Sequence, residues 1–209
     1  MTKRPFLPML ENEMATLRVG KRVLPAKQYV EGSVEVSVAD VIQRAAGGDV
    51  DAFRVLFERY VDRVRRYTRV KLGTPEDGDD AVQDVFLAAW RGLPRFRYEH
   101  EGSFPGWLFG IARHVVAQHR RGKGRAVLVP IDEAPESMVE FEGTAVSRRL
   151  LVEELGKLPE AQREALVLRF VAGLPIRDVA ASMGKTERAV TALQLRGLER
   201  LKSRLRGVR

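Results

Sequence analysis

The most distinctive chemistry in this chain comes from arginines set between aromatic rings. In GLPRFRYEHEGS, Arg95, Phe96, Arg97, Tyr98 and His100 alternate charge with ring. Such rings can stack on unpaired bases while the guanidinium groups hold the phosphates. Taken alone, an ordinary exposed loop is the alternative. A second basic group follows at Arg113, His114, His119, Arg120, Arg121, Lys123 and Arg125. A third lies near the end, where Lys185, Arg188, Arg196, Arg200, Lys202, Arg204, Arg206 and Arg209 stand against Glu187 and Glu199. DNA is the counter-charge that such a field attracts.

Other chemistries find less support. The chain has no cysteine, which removes disulfides and cysteine-based zinc sites and suggests a reducing, cytosolic setting. His114 and His119 are five residues apart, a poor spacing for one metal on one helix face, and no carboxylate lies near them in sequence. No carboxylate cluster or nucleophile-base pair stands out, so an enzyme such as a nuclease is a distant reading and no cofactor is expected. The formal net charge of +8 favours a polyanionic partner. No apolar run approaches the ~18 residues that span a bilayer. The N-terminal stretch is broken at Pro5, Pro8, Glu11 and Glu13, so neither a signal peptide nor a membrane anchor is expected.

The elements that must carry these groups read as helices. Residues 1–37 hold no sustained period and read as a flexible arm; Met9 or Met14 as the true start, or a regulatory pro-segment, are alternatives. From Val38 to Leu72 the pattern is helical with a break at Gly47 and Gly48, after which Asp49 caps a second helix. Its Phe53, Leu56, Phe57, Tyr60, Val61, Val64, Tyr67 and Val70 form a wide stripe for a core, and its Arg54, Arg59, Arg63, Arg65, Arg66 and Arg69 read as a solvated face. After a turn from Gly73 to Gly78, Asp77, Asp79 and Asp80 open a third helix at the favourable end of its dipole. There Val82, Val85, Phe86 and Ala89 suit the core, with Trp90 at the border. Ser103 is expected to cap a helix that holds Pro105 in its first turn and runs through Trp107 to Arg121.

Residues 122–146, broken by glycine and proline and acidic at Asp132, Glu133, Glu136, Glu140 and Glu142, read as a linker. A helix from about Ser147 to Leu158 follows. The next starts at Pro159 and offers Leu166, Val167, Phe170 and Val171 to a core. The segment PIRDVAASMGKTERAVTALQLRGLERLKSRL then reads as a helix-turn-helix. Gly184 suits a turn with positive φ, Thr186 can cap the second helix, and Val190 can pack back on the first. Arg188, Thr191, Ala192 and Leu195 offer a mixed polar and apolar face to bases, without fixing which bases. The fold class is all-α: two small helical domains, 38–121 and 147–209, joined by a flexible acidic linker.

DDAVQDVFLAAWRGLPRFR followed by GSFPGWLFGIARHVVAQHRR resembles region two of bacterial RNA polymerase sigma factors of the extracytoplasmic function (ECF) group, in the sigma-70 family. LPEAQREALVLRFVAGLPIRDVAASMGKTERAVTALQLRGLERL resembles their region four. The resemblance covers about residues 38–205 and leaves out the N-terminal arm.

It implies a non-enzymatic protein that binds core RNA polymerase, directs it to promoters and helps hold the melted strand. Asp80, Gln83, Asp84, Phe86 and Trp90 are the implied contacts with the β′ coiled coil, and the β flap is a further implied partner. Arg95, Phe96, Arg97, Tyr98, Trp107, Arg113, His114, Arg120 and Arg121 are implied at the -10 element, where a flipped base enters a protein pocket. Lys185, Thr186, Arg188, Thr191, Ala192, Leu195, Arg196 and Arg200 are implied at the -35 element. An anti-sigma factor is implied as a partner, and the linker is implied to cross the polymerase cleft. The chain departs from common family usage at His114, where Asn is frequent, and at Thr191, where a basic residue is frequent. Both departures bear on sequence preference. The rival reading, a free-standing helix-turn-helix regulator, leaves the Asp80–Trp90 helix and the aromatic loop without a role.

Overall fold

The computed structural model describes residues 37–100, 103–122 and 145–206. The N-terminal arm, the acidic linker with Lys123 and Arg125, and Arg209 lie outside them. Helix α1 (Val38–Ala46) begins where Ser37 accepts a hydrogen bond from Asp40 N at 3.2 Å, and α2 (Val50–Leu72) where Asp49 accepts from Ala52 N at 3.0 Å. These side chains satisfy N–H groups that the first turn leaves free. Gly73, at φ +85°, stops α2. Helix α3 (Pro75–Gly92) starts earlier than the acidic cluster suggested, because Thr74 caps Asp77 N and Pro75 is set for a first turn. Gly78 therefore lies inside the helix, where a Cβ would fall 3.1 Å from Arg69 Cα on α2.

A 3₁₀ turn, Leu93–Arg95, leads into the aromatic loop, and α4 (Ser103–Gly122) follows. The Ser103 hydroxyl donates to His100 O at 2.7 Å and accepts from Glu99 N at 3.3 Å, so it closes the loop behind it. The core of α1–α4 is aromatic. Phe53 meets Trp90 edge-on at 5.0 Å, Phe57 meets Phe86 at 4.7 Å, and Tyr67 meets Phe109 at 5.7 Å. Edge contacts of this kind add to the ~1.5–3 kcal/mol that burying each large side chain contributes.

The C-terminal part comprises α5 (Ala145–Gly156), α6 (Glu160–Leu166), a π turn (Val167–Val171), α7 (Ile176–Met183) and α8 (Glu187–Arg206). Gly184 takes φ +60° between α7 and α8, Thr186 accepts from Ala189 N, and Val190 is fully buried, as the helix-turn-helix pattern required. Leu155, Leu158, Leu166 and Leu201 form a separate leucine seam. Phe170, expected in the core, is 56% exposed. The wider i→i+5 turn, closed by Ala172 N on Val167 O, shifts it out of the α-helical register.

The two helical regions share one continuous apolar core, which runs from Phe53 and Leu108 to Leu168 and Val179. Gly106 of α4 permits the close approach, since a Cβ there would fall 2.8 Å from Ala181 Cβ on α7. Part of the α2 arginine face is not solvated. Arg63 donates to Ala172 O at 2.9 Å and Gly173 O at 2.6 Å, and Arg66 donates to Val171 O at 3.2 Å. These arginines satisfy carbonyls that the end of a helix leaves free and sit at its negative pole.

Candidate nucleic-acid interface

On and just before helix α8, the residues expected at the -35 element lie at the surface. Lys185, Thr186, Arg188, Thr191, Ala192, Leu195, Arg196 and Arg200 are all exposed, and Leu195 is 58% exposed. Positions 188, 191, 192 and 195 recur at three and four and therefore share one side of the helix. Two neighbours are held in place: Arg196 Nε donates to Ala192 O at 3.1 Å, and Arg200 reaches Gln162 Oε1 at 3.1 Å. The Thr191 hydroxyl donates to Glu187 O at 2.9 Å, which orients its oxygen.

The aromatic loop divides by depth. Phe96 is half-buried, with its ring centre 4.8 Å from Trp107 and 5.7 Å from Phe104, so it lids the core. Tyr98 is 38% exposed, and Arg95, Arg97 and His100 are exposed around it. On α4, His114 and Arg121 are exposed, and His114 lies 3.0 Å from Gln118. His119 Nε2 lies 2.8 Å from Asp84 on α3.

Arg113 and Arg120 meet carboxylates of α6. Arg113 Nε donates to Glu164 Oε1 at 3.2 Å, and Arg120 lies 3.7 Å from Glu160. Glu164 also accepts from the Tyr67 hydroxyl at 2.7 Å and from Lys71 Nζ at 2.5 Å, and Lys71 reaches Glu160 at 2.8 Å. Lys71 is 2% exposed. Burial pushes the Glu164 pKa up, but Lys71, Tyr67 and Arg113 together outweigh it and hold the carboxyl below its ordinary range. Burial lowers the Lys71 pKa despite that partner. Sequence reading missed this cluster. Its one signal was charge on apolar faces: Lys71 continues the stripe one turn past Tyr67, and Glu164 sits beside Ala165 and Leu166.

The α3 face also needs correction. Asp80 and Asp84 are exposed and Gln83 half-buried, but Phe86 is 1% exposed and Trp90 7% exposed, both among core rings. They lie on the core side of the helix because 82, 85, 86 and 89 share that side with 90. Phe86 and Trp90 therefore belong to the core beneath the exposed side of α3 and are not on that side. Among the described residues no group of three or more acidic or histidine side chains gathers as a metal site. No helix among them is long and apolar enough to cross a membrane.

These two surfaces on two packed helical regions define a class. Residues 56–126 match sigma-70 region 2 and residues 148–201 match sigma-70 region 4. The ECF RNA polymerase sigma factor SigD of Mycobacterium tuberculosis is 37% identical over 177 residues, covering 79% of this chain and 82% of SigD. SigM of the same species, also an ECF RNA polymerase sigma factor, is 32% identical over 173 residues, covering 81% of this chain and 85% of SigM. The solved structure of CnrH in complex with the cytosolic domain of CnrY is 26% identical with a TM-score of 0.60, over 81% of this chain and 97% of that one. The chain belongs to the ECF RNA polymerase sigma factor family.

Proposed function

We propose that this sigma factor divides its work among three surfaces. As a member of its family it binds core RNA polymerase, directs it to promoters and promotes initiation by recognising the -35 and -10 elements. The observation that carries the division is the exposed α8 side at 188, 191, 192 and 195, which follows the Gly184 turn on a helix that the buried Val190 packs onto α7. That side enters the major groove of the -35 element. Arg188 and Thr191 meet base edges, and Lys185, Arg196 and Arg200 hold phosphates.

The loop bearing Arg95, Arg97 and Tyr98, with α4 behind it, takes the melted -10 strand. Tyr98 supplies the stacking ring, while Phe96 and Trp107 form the floor beneath it. The α3 face, centred on Asp80, Gln83 and Asp84, meets the β′ coiled coil, and the region-four helices meet the β flap. An anti-sigma protein is a further partner, supported by the likeness to CnrH, which was solved with the cytosolic domain of CnrY. The protein works in the cytoplasm, where polymerase and promoter are found.

Run-off transcription with reconstituted core polymerase on genomic fragments tests the reading. Discrete transcripts that depend on the protein are expected, and Asp84→Arg is expected to reduce them by weakening core binding. Parental core affinity in a folded Asp84→Arg variant would reject the α3 assignment.

A further inference from the structure

His119 has no part in the functions assigned above, yet its surroundings are specific. It follows Ala112, Val115 and Val116 at helical spacings, all three of them buried, and so stands one turn further along the side of α4 that enters the core. The ring is half-buried, and its Nε2 lies 2.8 Å from Asp84 Oδ2 on α3. Carboxylate oxygens only accept, so the hydrogen of this bond is on Nε2. Asp84 has the opposite setting. Its side chain is 55% exposed, and its Oδ1 takes no hydrogen bond among the described residues.

Glu76, Asp80 and Asp84 recur every four residues along α3 and all are exposed, so they form an acidic stripe on a chain whose formal net charge is +8. A local reversal of sign on a basic protein selects a cationic partner surface and repels the phosphates that the rest of the molecule attracts. An exposed aspartate left to itself samples several rotamers, and ordering it costs affinity when the partner binds. A hydrogen bond already made to one oxygen removes part of that cost and gives the other oxygen a set direction. The donor here is a ring on a second helix, next to a buried turn, so the packing of α3 on α4 fixes where the carboxylate stands.

We propose that His119 is a positioning residue for polymerase binding: its Nε2 holds Asp84 Oδ2, and Oδ1 is thereby aimed outward to receive a guanidinium or ammonium group of the β′ coiled coil. This role rests on the reading of α3 as the polymerase face and adds to it the side chain that orients the carboxylate. It also gives α4 two tasks. The exposed side takes the strand, while the side turned to α3 braces the contact with core polymerase.

The affinity of the full-length protein for core polymerase, measured without DNA on variants whose folding is checked by thermal melting, tests the role. His119→Leu removes the donor and continues the apolar run of Val115 and Val116. It is expected to weaken core binding roughly three- to tenfold, the range for freeing one ordered side chain. His119→Ala gives the same comparison if leucine disturbs the packing. His119→Gln offers an amide N–H near the place of Nε2 and is expected to recover most of the loss. Asp84→Ala should itself bind core less tightly, and in that background His119→Leu should cause no further change. Parental affinity in a folded His119→Leu variant, with Asp84→Ala weakened, overturns the positioning role and keeps the α3 face. A loss of equal size in the Asp84→Ala background overturns it as well, because His119 then acts on the fold of α4 and not through the carboxylate. Parental affinity in Asp84→Ala removes the α3 reading itself, and the role of His119 with it.

Discussion

Phe96 and Tyr98 stand two residues apart in the loop before α4, and their surroundings separate what each loss should do. Tyr98 is 38% exposed, so Tyr98→Ala is expected to leave the melting temperature unchanged and to cost roughly 1–3 kcal/mol of single-strand binding, the range for one base stacked on a ring. Phe96 lies against Phe104 and Trp107, so Phe96→Ala should lower the melting temperature and disturb every activity together. Thermal melting beside strand-binding titration checks the pair; a Tyr98→Ala variant that opens promoters at the parental rate would take the loop out of strand recognition. On α8 the division proposed above lies between bases and phosphates. Lys202→Ala is expected to weaken all duplexes alike and to reduce the salt slope by about 0.9, whereas Arg188→Ala or Thr191→Ala should change the ranking of -35 sequences. Binding to a randomised -35 library measures both, and an unchanged ranking would show that the helix is wrongly placed.

Among the elements, α2 and α3 show how closely the α3 face, proposed above to meet polymerase, depends on one contact. A Cβ at Gly78 would fall 3.1 Å from Arg69 Cα and 3.2 Å from Arg69 N, atoms that cannot move aside as a flexible side chain does. Gly78→Ala is therefore expected to destabilise the protein by about 1–3 kcal/mol, which for a domain of this size lowers the melting temperature by several degrees. Differential scanning calorimetry reads it; a parental melting temperature would mean that α3 has room to shift. Contacts of this kind were only partly legible in the sequence. Asp49, Gly184 and Val190 could be placed because caps, turns and helical periods are local. Glu164 and Lys71 could not, because 93 residues separate them and a period reports which face is apolar without naming what covers it. For the same reason the α2 arginines read as solvated, and Phe170 could not be seen to leave the core, since its displacement comes from a π turn.

For the whole molecule, the contact between the two regions carries a second buried acid whose sign opposes that of Glu164. Asp178 on α7 is 3% exposed, and its Oδ1 accepts no hydrogen bond; Arg177 Nε is 3.8 Å away, beyond hydrogen-bonding reach. Burial raises its pKa, and the attractions of Arg177, Arg63 and His100 offset this only in part. The folded pKa therefore lies above the ordinary carboxylate value of about 3.9. Below that value both states are protonated and the group adds no penalty relative to the unfolded chain; as pH rises through the folded pKa, the buried charge destabilises the packed form. Glu164 behaves oppositely. Its folded pKa is depressed, so its contribution is complete above the ordinary range and is lost as pH falls through the folded value. Asp178→Asn keeps the shape and removes the charge. It is expected to raise the melting temperature at neutral pH, by about 2–4 °C for each kcal/mol recovered, with the gain shrinking as pH falls and gone below about pH 4. Glu164→Gln should show the reverse, with the largest loss at neutral pH and convergence with the parent in acid. Melting curves for the parent and both variants from pH 3 to 8 decide it. A neutral-pH loss in Asp178→Asn would show that Arg63 and His100 bind that carboxylate as an ion pair, and that the contact between the regions is held by Asp178 as well as by Glu164.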